Sequence, residues 1–264
     1  LAQGRNSMKL FLRRVGYFLL FLAFWQGFVM ILGIKEFIIP SPLKTLSHIF
    51  HPALAAKYQW PIHIRATLLE ISLSFLITAV TGNLVALSIS WSKTLKALIT
   101  PIIVFFNSLP KIALAPLFLL WFGYGLLPNT LIAVLVAFFP IVINTTTGLE
   151  QVEEDLLDLV RYLGATKGQI FVKIKIPNAL PYIFSGFKIS ATMCVVGSIV
   201  GEFIASDKGL GYLLKDAQAF IDTPTMFACL LLISLLGILL FGVLSLLEAK
   251  VLYWMPQASS GGGR

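Results

Sequence analysis

The residues of this chain that could do chemistry lie inside long apolar runs. Six of them have side chains able to contact a polar solute: Asn107, Ser108, Lys111, Asn144, Ser190 and Glu202. Polar groups are costly inside a membrane, so they usually face a helix-bundle interior or a water-filled path. The pattern therefore predicts a translocation path. The alternative is hydrogen bonding between helices, which suits Asn83 and residues 145–147 equally well.

Lys111 is the most informative of these residues. It follows Leu109 and Pro110, and a proline interrupts a helix because it lacks an N–H donor. We therefore expect a broken helix, a recurrent way to build a substrate site in transporters. We further predict that the ammonium group of Lys111 biases the path toward anions. The alternative is that Lys111 reaches toward the membrane surface or binds a backbone carbonyl.

The sequence contains none of the residue sets that are typical of an enzyme. It has no Gly-x4-Gly-Lys-Ser/Thr phosphate loop, no Gly-x-Ser-x-Gly elbow, no His-Glu-x-x-His and no Cys-x-x-Cys. Cys194 and Cys229 lie in apolar runs, and the three histidines share one loop without cysteine or paired carboxylate partners. We therefore predict that the chain is not an enzyme and holds no metal ion or cofactor.

Two further features of the apolar runs concern packing. Arg65 and Glu70 lie near the end of one run, so we expect both to meet interfacial water. Gly197 and Gly201 form a Gly-x3-Gly pair, which lets two helices approach closely. The pair predicts a tight contact, either in the core or between subunits.

The composition indicates an integral membrane protein. Of 264 residues, 58% are hydrophobic and only 12% are charged, about half the share that is usual in soluble domains. The net charge of +8 does not indicate nucleic-acid binding, because the basic residues are scattered and are not interleaved with exposed aromatics. In a membrane protein, an excess of Lys and Arg reflects topology and contact with anionic lipids.

The apolar runs predict an all-α protein of about six transmembrane helices. A spanning helix needs about 20 mostly apolar residues. The six candidates are residues 15–34, 66–89, 98–122, 130–148, 182–205 and 225–247. We expect one transmembrane domain over residues 8–257, with a native start at Met8. Residues 1–7 and 258–264 are expected to be cloning remnants.

The basic residues predict the orientation of the chain in the membrane. If the N-terminus is inside, the inner segments hold twelve Lys and Arg residues and the outer segments hold six. Inner loops carry the excess of basic residues in most membrane proteins. We therefore predict that both termini are cytoplasmic, together with the polar stretch between the fourth and fifth apolar runs.

That polar stretch, Asp158 to Pro177, is predicted to form two short helices that meet at a corner. In the first, apolar residues recur at helical spacing at Leu156, Leu159, Val160 and Leu163. Gly164 follows where a left-handed helix cap requires glycine. Thr166 and Gln169 have capping-box spacing at the start of the second helix. We expect Pro177 and Pro181 to end it.

This stretch resembles the cytoplasmic coupling loop of ABC-importer permeases, the EAA loop. That pattern is an acidic residue, two small residues, three others, glycine, nine others and Ile-x-Leu-Pro. The matching positions here are Asp158, Leu159, Val160, Gly164, Ile174, Ile176 and Pro177. The departures are Asp for Glu, Leu-Val for Ala-Ala and Ile for Leu. We call residues 150–178 the coupling segment.

The resemblance extends over most of residues 37–254. Residues 39–42, Ile-Pro-Ser-Pro, and 109–116, Leu-Pro-Lys-Ile-Ala-Leu-Ala-Pro, resemble permeases for nitrate, sulfonate, taurine and similar solutes. Residues 119–125, the glycine-containing end of the third run, resemble the same permeases, and so do three short motifs nearer the C-terminus. These motifs are Gly201-Glu202, Gly209-x-Gly211 and Leu247-Glu248 with Trp254.

The resemblance implies the type I ABC-importer permease fold in a multi-pass protein of the bacterial inner membrane. It implies a homodimer that docks a cytoplasmic ATPase and receives solute from an extracytoplasmic binding protein. The ATPase activity would reside in the partner. The residues implied in coupling are Asp158, Arg161, Gly164, Ala165, Thr166, Gln169, Ile170, Phe171, Ile174 and Pro177. We expect Ile170 and Phe171 to be the anchors in a groove of the ATPase.

The predicted solute is a small anion such as nitrate, bicarbonate, a sulfonate or taurine. The alternative within the same class is a vitamin precursor or an amino acid. Two other classes fit less well. A stand-alone channel or secondary transporter would not need a capped double-helix loop, and ion coupling usually requires more membrane carboxylates. An intramembrane enzyme would need a catalytic set, which the sequence lacks.

Overall fold

The computed structural model describes residues 2–254, with side chains in the first helix described for Arg13, Gly16, Tyr17 and from Leu19 onward. Within that range the chain forms twelve α-helices and no strand. They are α1 Ala2–Ile31, α2 Pro42–Phe50, α3 Pro52–Tyr58, α4 Trp60–Trp91, α5 Lys93–Ser108, α6 Ala115–Phe122, α7 Leu126–Glu150, α8 Glu154–Tyr162, α9 Lys167–Ile170, α10 Ile176–Ala205, α11 Leu210–Ala219 and α12 Thr223–Val251. The expected remnant at residues 258–264 lies outside the described residues.

Four helices are long and apolar enough to span a membrane: α4, α7, α9 joined to α10, and α12. A fifth candidate is the pair of α5 and Lys111–Phe122, which is bent by 82° at its break. The break falls at Leu109 and Pro110, as their sequence predicts. The first predicted span contributes the apolar stretch Leu19–Ile31 among the described residues. The all-α membrane fold is confirmed, with four long spans and a bent one beside this shorter stretch.

The core of the bundle is α7, which packs between α4 and α10. Glycines allow the close approach. A Cβ on Gly197 would lie 2.5 Å from the Ala133 Cα, and one on Gly201 would lie 2.8 Å from the Asn129 Cα. A methyl group fits at neither position, because real Cβ atoms do not approach backbone so closely. The Gly-x3-Gly pair therefore packs α10 on α7 within one chain.

The connecting segments gather at two ends of the bundle. At one end, the Gly125 N–H donates to the Ala205 carbonyl at 3.0 Å, and the Thr223 hydroxyl donates to the Phe37 carbonyl at 2.7 Å. At the other end, Lys96 and Glu150 form an ion pair at 2.6 Å beside the coupling segment. We call these the α11 end and the coupling end. Successive spans run in opposite directions, so the segments that connect them must alternate between these two ends.

The prediction that Pro177 and Pro181 end the second helix of the coupling segment is wrong. A π-helical turn, Phe171–Lys175, joins α9 to α10, so that Lys167–Ala205 is one 39-residue helix. The wider turn accommodates the break in hydrogen bonding that a proline causes. Pro177 lies at the start of α10, directly after the π-helical turn, where the regular hydrogen bonding of the α-helix is already interrupted. Pro181 lies one turn later, inside α10.

Candidate functional site

The first half of the coupling segment is α8, a short amphipathic helix at the surface. Glu154 and Asp155 occupy its first turn and Arg161 its last, so both charge signs complement the helix dipole. Arg161 Nη1 donates to Asp158 Oδ1 at 2.7 Å, one turn apart on the exposed face. The local sequence therefore favours a helix that presents a charged face and an apolar face side by side.

The corner after α8 has the two hydrogen bonds of a Schellman motif. The Gly164 N–H donates to the Arg161 carbonyl at 2.9 Å, and the Ala165 N–H donates to the Val160 carbonyl at 3.0 Å. Gly164 has φ +83°, and nothing lies within 4 Å of the position that a Cβ would take. Glycine is required there by the backbone angle alone.

The second half begins with the capping box that the sequence predicts. The Thr166 N–H donates to Gln169 Oε1 at 2.8 Å, and the Gln169 N–H donates to Thr166 Oγ1 at 3.3 Å. These reciprocal bonds satisfy donors that the first turn of α9 leaves open. The corner is therefore fixed from both sides, by a cap on α8 and by a box on α9.

We expected Ile170 and Phe171 to face a partner, but in the structure other apolar side chains of this segment are the exposed ones. Ile170 is only 8% exposed and packs within the chain, and the Phe171 ring meets the Trp91 ring edge-on at 5.1 Å. Tyr162 and Leu163 are instead 88% and 73% exposed, and Leu159 is also exposed. Ile170 therefore cannot be a docking anchor in this conformation. Tyr162, which lies between Val160 and Leu163 of the predicted stripe, was not among the residues expected to contact a partner.

Lys111 lies at the break in the bent span, where its ammonium group is already bound. It donates to the Asn107 carbonyl at 3.1 Å and to Asn107 Oδ1 at 2.9 Å, and lies 4.6 Å from the centre of the Phe139 ring. A cation beside the last carbonyls of α5 complements that helix end. The break is as predicted, and the alternative of backbone binding also holds.

The other predicted path residues bond to nearby backbone. Ser108 donates to the Val104 carbonyl at 2.9 Å, and Asn144 donates to the Pro140 carbonyl at 2.8 Å. Ser190, fully buried, donates across to the Ala137 carbonyl of α7 at 2.6 Å. The structure brings Lys111 and Asn107 together, with Ser108 on the same turn. It bonds Ser190 to α7 as a packing contact.

Glu202 belongs to a buried polar cluster at the α11 end. It is fully buried, and Oε2 accepts the Gly211 N–H at 2.6 Å. The two preceding amides also bind side chains: the Leu210 N–H donates to Thr67 Oγ1 at 2.8 Å and the Gly209 N–H to His63 Nδ1 at 3.1 Å. Gly209 has φ +108°, and a Cβ there would overlap the Glu202 carboxyl group.

Glu70 is the second carboxyl group of this cluster. It is 3% exposed, so the expectation that it meets interfacial water is wrong. The Asn129 side-chain amide donates to Glu70 Oε1 at 2.9 Å, and Glu70 and Glu202 are neighbouring carboxyl groups in this cluster. The missed signal was a helical stripe of small polar residues on α4. Thr67, Ser74 and Thr78 are all buried on the face that holds Glu70.

Comparisons with known proteins agree with this architecture. A family model described as "Binding-protein-dependent transport system inner membrane component" matches residues 76–253. The formylaminopyrimidine transport permease protein ThiX of Halalkalibacterium halodurans is 33% identical over 241 residues, covering 91% of this chain and 95% of the relative. The riboflavin transport system permease protein RibX of Chloroflexus aurantiacus is 32% identical, covering 89% of this chain and 87% of the relative.

A solved structure matches the fold. One chain of the MetNI methionine ABC transporter in an inward-facing conformation superposes with a TM-score of 0.64 at 21% identity, covering 75% of this chain and 97% of that one. The match shows the type I importer permease fold. The chain therefore belongs to the binding-protein-dependent transport system inner membrane components, as a multi-pass ABC-importer permease whose ATPase is a separate subunit.

Proposed function

We propose that the coupling segment docks the ATPase through the apolar face of α8 and passes its motion to the spans. The observation that carries this proposal is the rigid corner between α8 and α9, beside which Leu159, Tyr162 and Leu163 are exposed. Exposed apolar side chains on a capped helix suit recognition in a groove of a partner. The charged residues Asp158 and Arg161 form the rim of that surface.

Pull-down of the ATPase by the purified permease tests this docking surface. Tyr162→Ala removes a large exposed ring, so ATPase affinity should fall about thirtyfold, as expected for an aromatic interface anchor. Val172→Ala is the matched control, because Val172 is also exposed but lies on the π-helical turn beyond the corner. Equal affinities of the Tyr162 variant and the unaltered permease would exclude α8 as the anchor.

The remaining partners and the orientation are part of the same proposal. Two copies of the chain form the path, an extracytoplasmic binding protein delivers the solute to the α11 end, and the coupling end is cytoplasmic with both termini. The excess of Lys and Arg in the predicted inner segments supports this orientation. The solute path uses the bent span around Asn107, Ser108 and Lys111, with Asn144 and Glu202 as further candidates.

The solute that we favour is a heterocyclic vitamin precursor. Two relatives of about one-third identity are named for transport of formylaminopyrimidine and riboflavin. The aromatic side chains Phe105, Phe106 and Trp121 are exposed on the bent span and could stack on a planar ring. A small anion such as a sulfonate is the second candidate, because Lys111 places a cation at the break of this span.

Competition for uptake distinguishes the two solutes. Proteoliposomes would contain the permease, its ATPase and its binding protein, with a labelled formylaminopyrimidine as the solute. Excess unlabelled pyrimidine should abolish ATP-dependent uptake, whereas excess taurine should leave it unchanged. Uptake of labelled taurine without uptake of the pyrimidine would reverse the assignment.

A further inference from the structure

A groove of about 650 Å³ opens at the coupling end, between the α4–α5 turn and the coupling segment. Trp91 and Phe171 meet there edge-on with ring centres 5.1 Å apart, and the buried side chains of Ile89 and Ile170 also line it. One wall comes from the end of a membrane span and the other from α9 and the π-helical turn. We call this cavity the basic groove.

Five cationic side chains and one acidic side chain line the basic groove: Lys93, Lys96, Glu150, Arg161, Lys167 and Lys175. Three of the cations already have partners. Lys96 pairs with Glu150 at 2.6 Å, Arg161 pairs with Asp158 at 2.7 Å, and the Lys167 ammonium lies 4.6 Å from the Trp91 ring centre.

Lys93 and Lys175 form no ion pair with any residue that the structure describes. The groove thus has an excess of positive charge that the described chain does not neutralise. The excess of positive charge indicates an anionic ligand. The position of the groove relative to the membrane indicates which kind of anion it binds.

The groove begins where α4 and α7 end, which is the level at which a spanning helix meets lipid headgroups. Clusters of Lys and Arg at that level attract phosphate-bearing lipid headgroups. The Trp91 and Phe171 rings beside the cations suit the start of an acyl chain.

We propose that the basic groove binds the phosphate headgroup of an anionic membrane lipid. Lys93 and Lys175 would contact the phosphate from opposite walls, with Lys167 and Trp91 between them. Because α9 forms one wall, the bound lipid would hold the coupling segment against the membrane end of α4. This site is separate from the solute path and does not depend on which solute the permease carries.

Lipid retention by the permease alone tests the proposal, since no ATPase is then needed. The permease would be placed in nanodiscs of mixed phosphatidylglycerol and phosphatidylcholine, and lipids that stay bound after detergent extraction would be counted by native mass spectrometry. The variant Lys93→Gln with Lys175→Gln removes the two unpaired charges. Lys208→Gln with Lys215→Gln is the matched control at the α11 end.

The unaltered permease and the α11-end control should retain phosphatidylglycerol in preference to phosphatidylcholine. The Lys93 and Lys175 double variant should bind it roughly thirtyfold more weakly, given the usual contribution of a basic residue near an anionic surface. Lys93→Arg with Lys175→Arg keeps both charges and should restore retention, which separates loss of the site from misfolding.

Two results would overturn the proposal. One is equal retention of the anionic and neutral lipids by the unaltered permease. The other is that millimolar inorganic phosphate displaces the retained lipid, which would make the groove a site for a free anion. ATPase docking is measured separately through Tyr162, so failure of the lipid site and failure of the coupling proposal are distinguishable.

Discussion

At the scale of single residues, the corner of the coupling segment depends on one backbone angle. Gly164 has φ +83° with open space around it, so any side chain there is strained but meets no neighbour. We predict that Gly164→Val costs about 1–2 kcal/mol at the corner. Membrane insertion and dimer formation should stay near normal, because the strain is confined to the surface. ATPase pull-down should weaken about tenfold and stimulated ATP turnover should fall.

The control for this change is Gly168→Ala. Gly168 also has open space around it, but it lies in the ordinary helical region of α9. Alanine is the better helix former, so docking should be unchanged or slightly stronger. Normal docking and turnover in the Gly164 variant would remove the corner from the mechanism.

The carboxyl pair at the α11 end gives a second prediction at this scale. Glu70 and Glu202 are buried neighbours, and two such groups cannot both be charged at low cost. One shared proton would bond the two oxygens, Glu70 Oε2 and Glu202 Oε1, that have no partner among the described residues. Gln reproduces a neutral carboxyl group, whereas Ala leaves the Gly211 N–H unpaired.

We therefore expect Glu202→Gln to lower the thermal midpoint of the purified permease only slightly. Glu202→Ala should cost about 2–4 kcal/mol, because it adds a cavity to the unpaired donor. Thermal unfolding of the two variants side by side is the measurement. A Gln variant as unstable as the Ala variant would show that a neutral amide cannot replace Glu202, which would contradict the shared proton.

At the scale of elements, the bent span gives a prediction about solute charge. The Lys111 ammonium is held by Asn107 and by the Phe139 ring. Lys111→Met keeps the length of the side chain and removes its charge. If a heterocycle is carried, its affinity and rate of uptake should change less than twofold, while any uptake of a sulfonate should fall about tenfold or more. Unchanged sulfonate uptake by the Lys111→Met variant would contradict the prediction that Lys111 favours anionic solutes.

The joint between α2, α3 and α12 gives a prediction about pH. Burial lowers the pKa of His48 from its ordinary value of 6.5, although nearby Asp222 opposes the shift. Burial alone would raise the pKa of Asp222, but hydrogen bonds donated by Tyr58 and Thr225 outweigh it and hold that pKa low. Both groups bind fewer protons when folded than when unfolded, so stability is lost as pH falls.

The His48 contribution should be complete above pH 6.5 and should decline as the pH falls below that value. The thermal midpoint of the permease should therefore drop between about pH 7 and pH 5. His48→Gln should flatten part of that slope, and His51→Gln, at an exposed position, should not. Identical slopes for the two variants would exclude the joint as the pH-sensitive element.

The sequence predicted local features of the elements better than their continuation. The corner at Gly164 and the box at Thr166 depend on hydrogen bonds between residues within five positions of each other, so their residue types alone indicate them. The helix continues through Pro177 because a π-helical turn precedes it. A proline in the sequence does not indicate whether a helix ends there or continues through such a turn. The 82° bend at Pro110 was predicted as a break, but its angle follows from packing against α7.

In the candidate site, too, local features could be predicted from the sequence and contacts between distant segments could not. Glu202 was visible as a charge in an apolar run, whereas Glu70 lies near the end of its run and looked interfacial. Only the packing of α4 against α7 and α10 buries it. Phe171 likewise packs on Trp91, which lies far away along the chain. Contacts between distant segments were the part that residue patterns could not supply.

At the scale of the whole molecule, the two ends of the bundle must lie on opposite sides of the membrane. Single cysteines at Lys167 and Lys208 report on the coupling end and the α11 end, and both native positions are exposed. Cys194 and Cys229 are buried, so the background labelling should be low. An impermeant thiol reagent added outside intact cells should label Lys208→Cys and not Lys167→Cys. The reverse pattern would invert the proposed orientation.

The continuous helix Lys167–Ala205 has a mechanical consequence. Its 39 residues would extend roughly 58 Å at the rise of an α-helix, which is enough to cross the whole bilayer. One extremity is clamped by the Thr166 box beside the docking face, and the other carries Glu202 beside Gly211. A stiff rod converts a tilt of a few degrees at one extremity into a displacement of several ångströms at the other. If α8 docks the ATPase as we propose, a tilt of this helix at the docking end would displace its Glu202 end on the far side of the membrane.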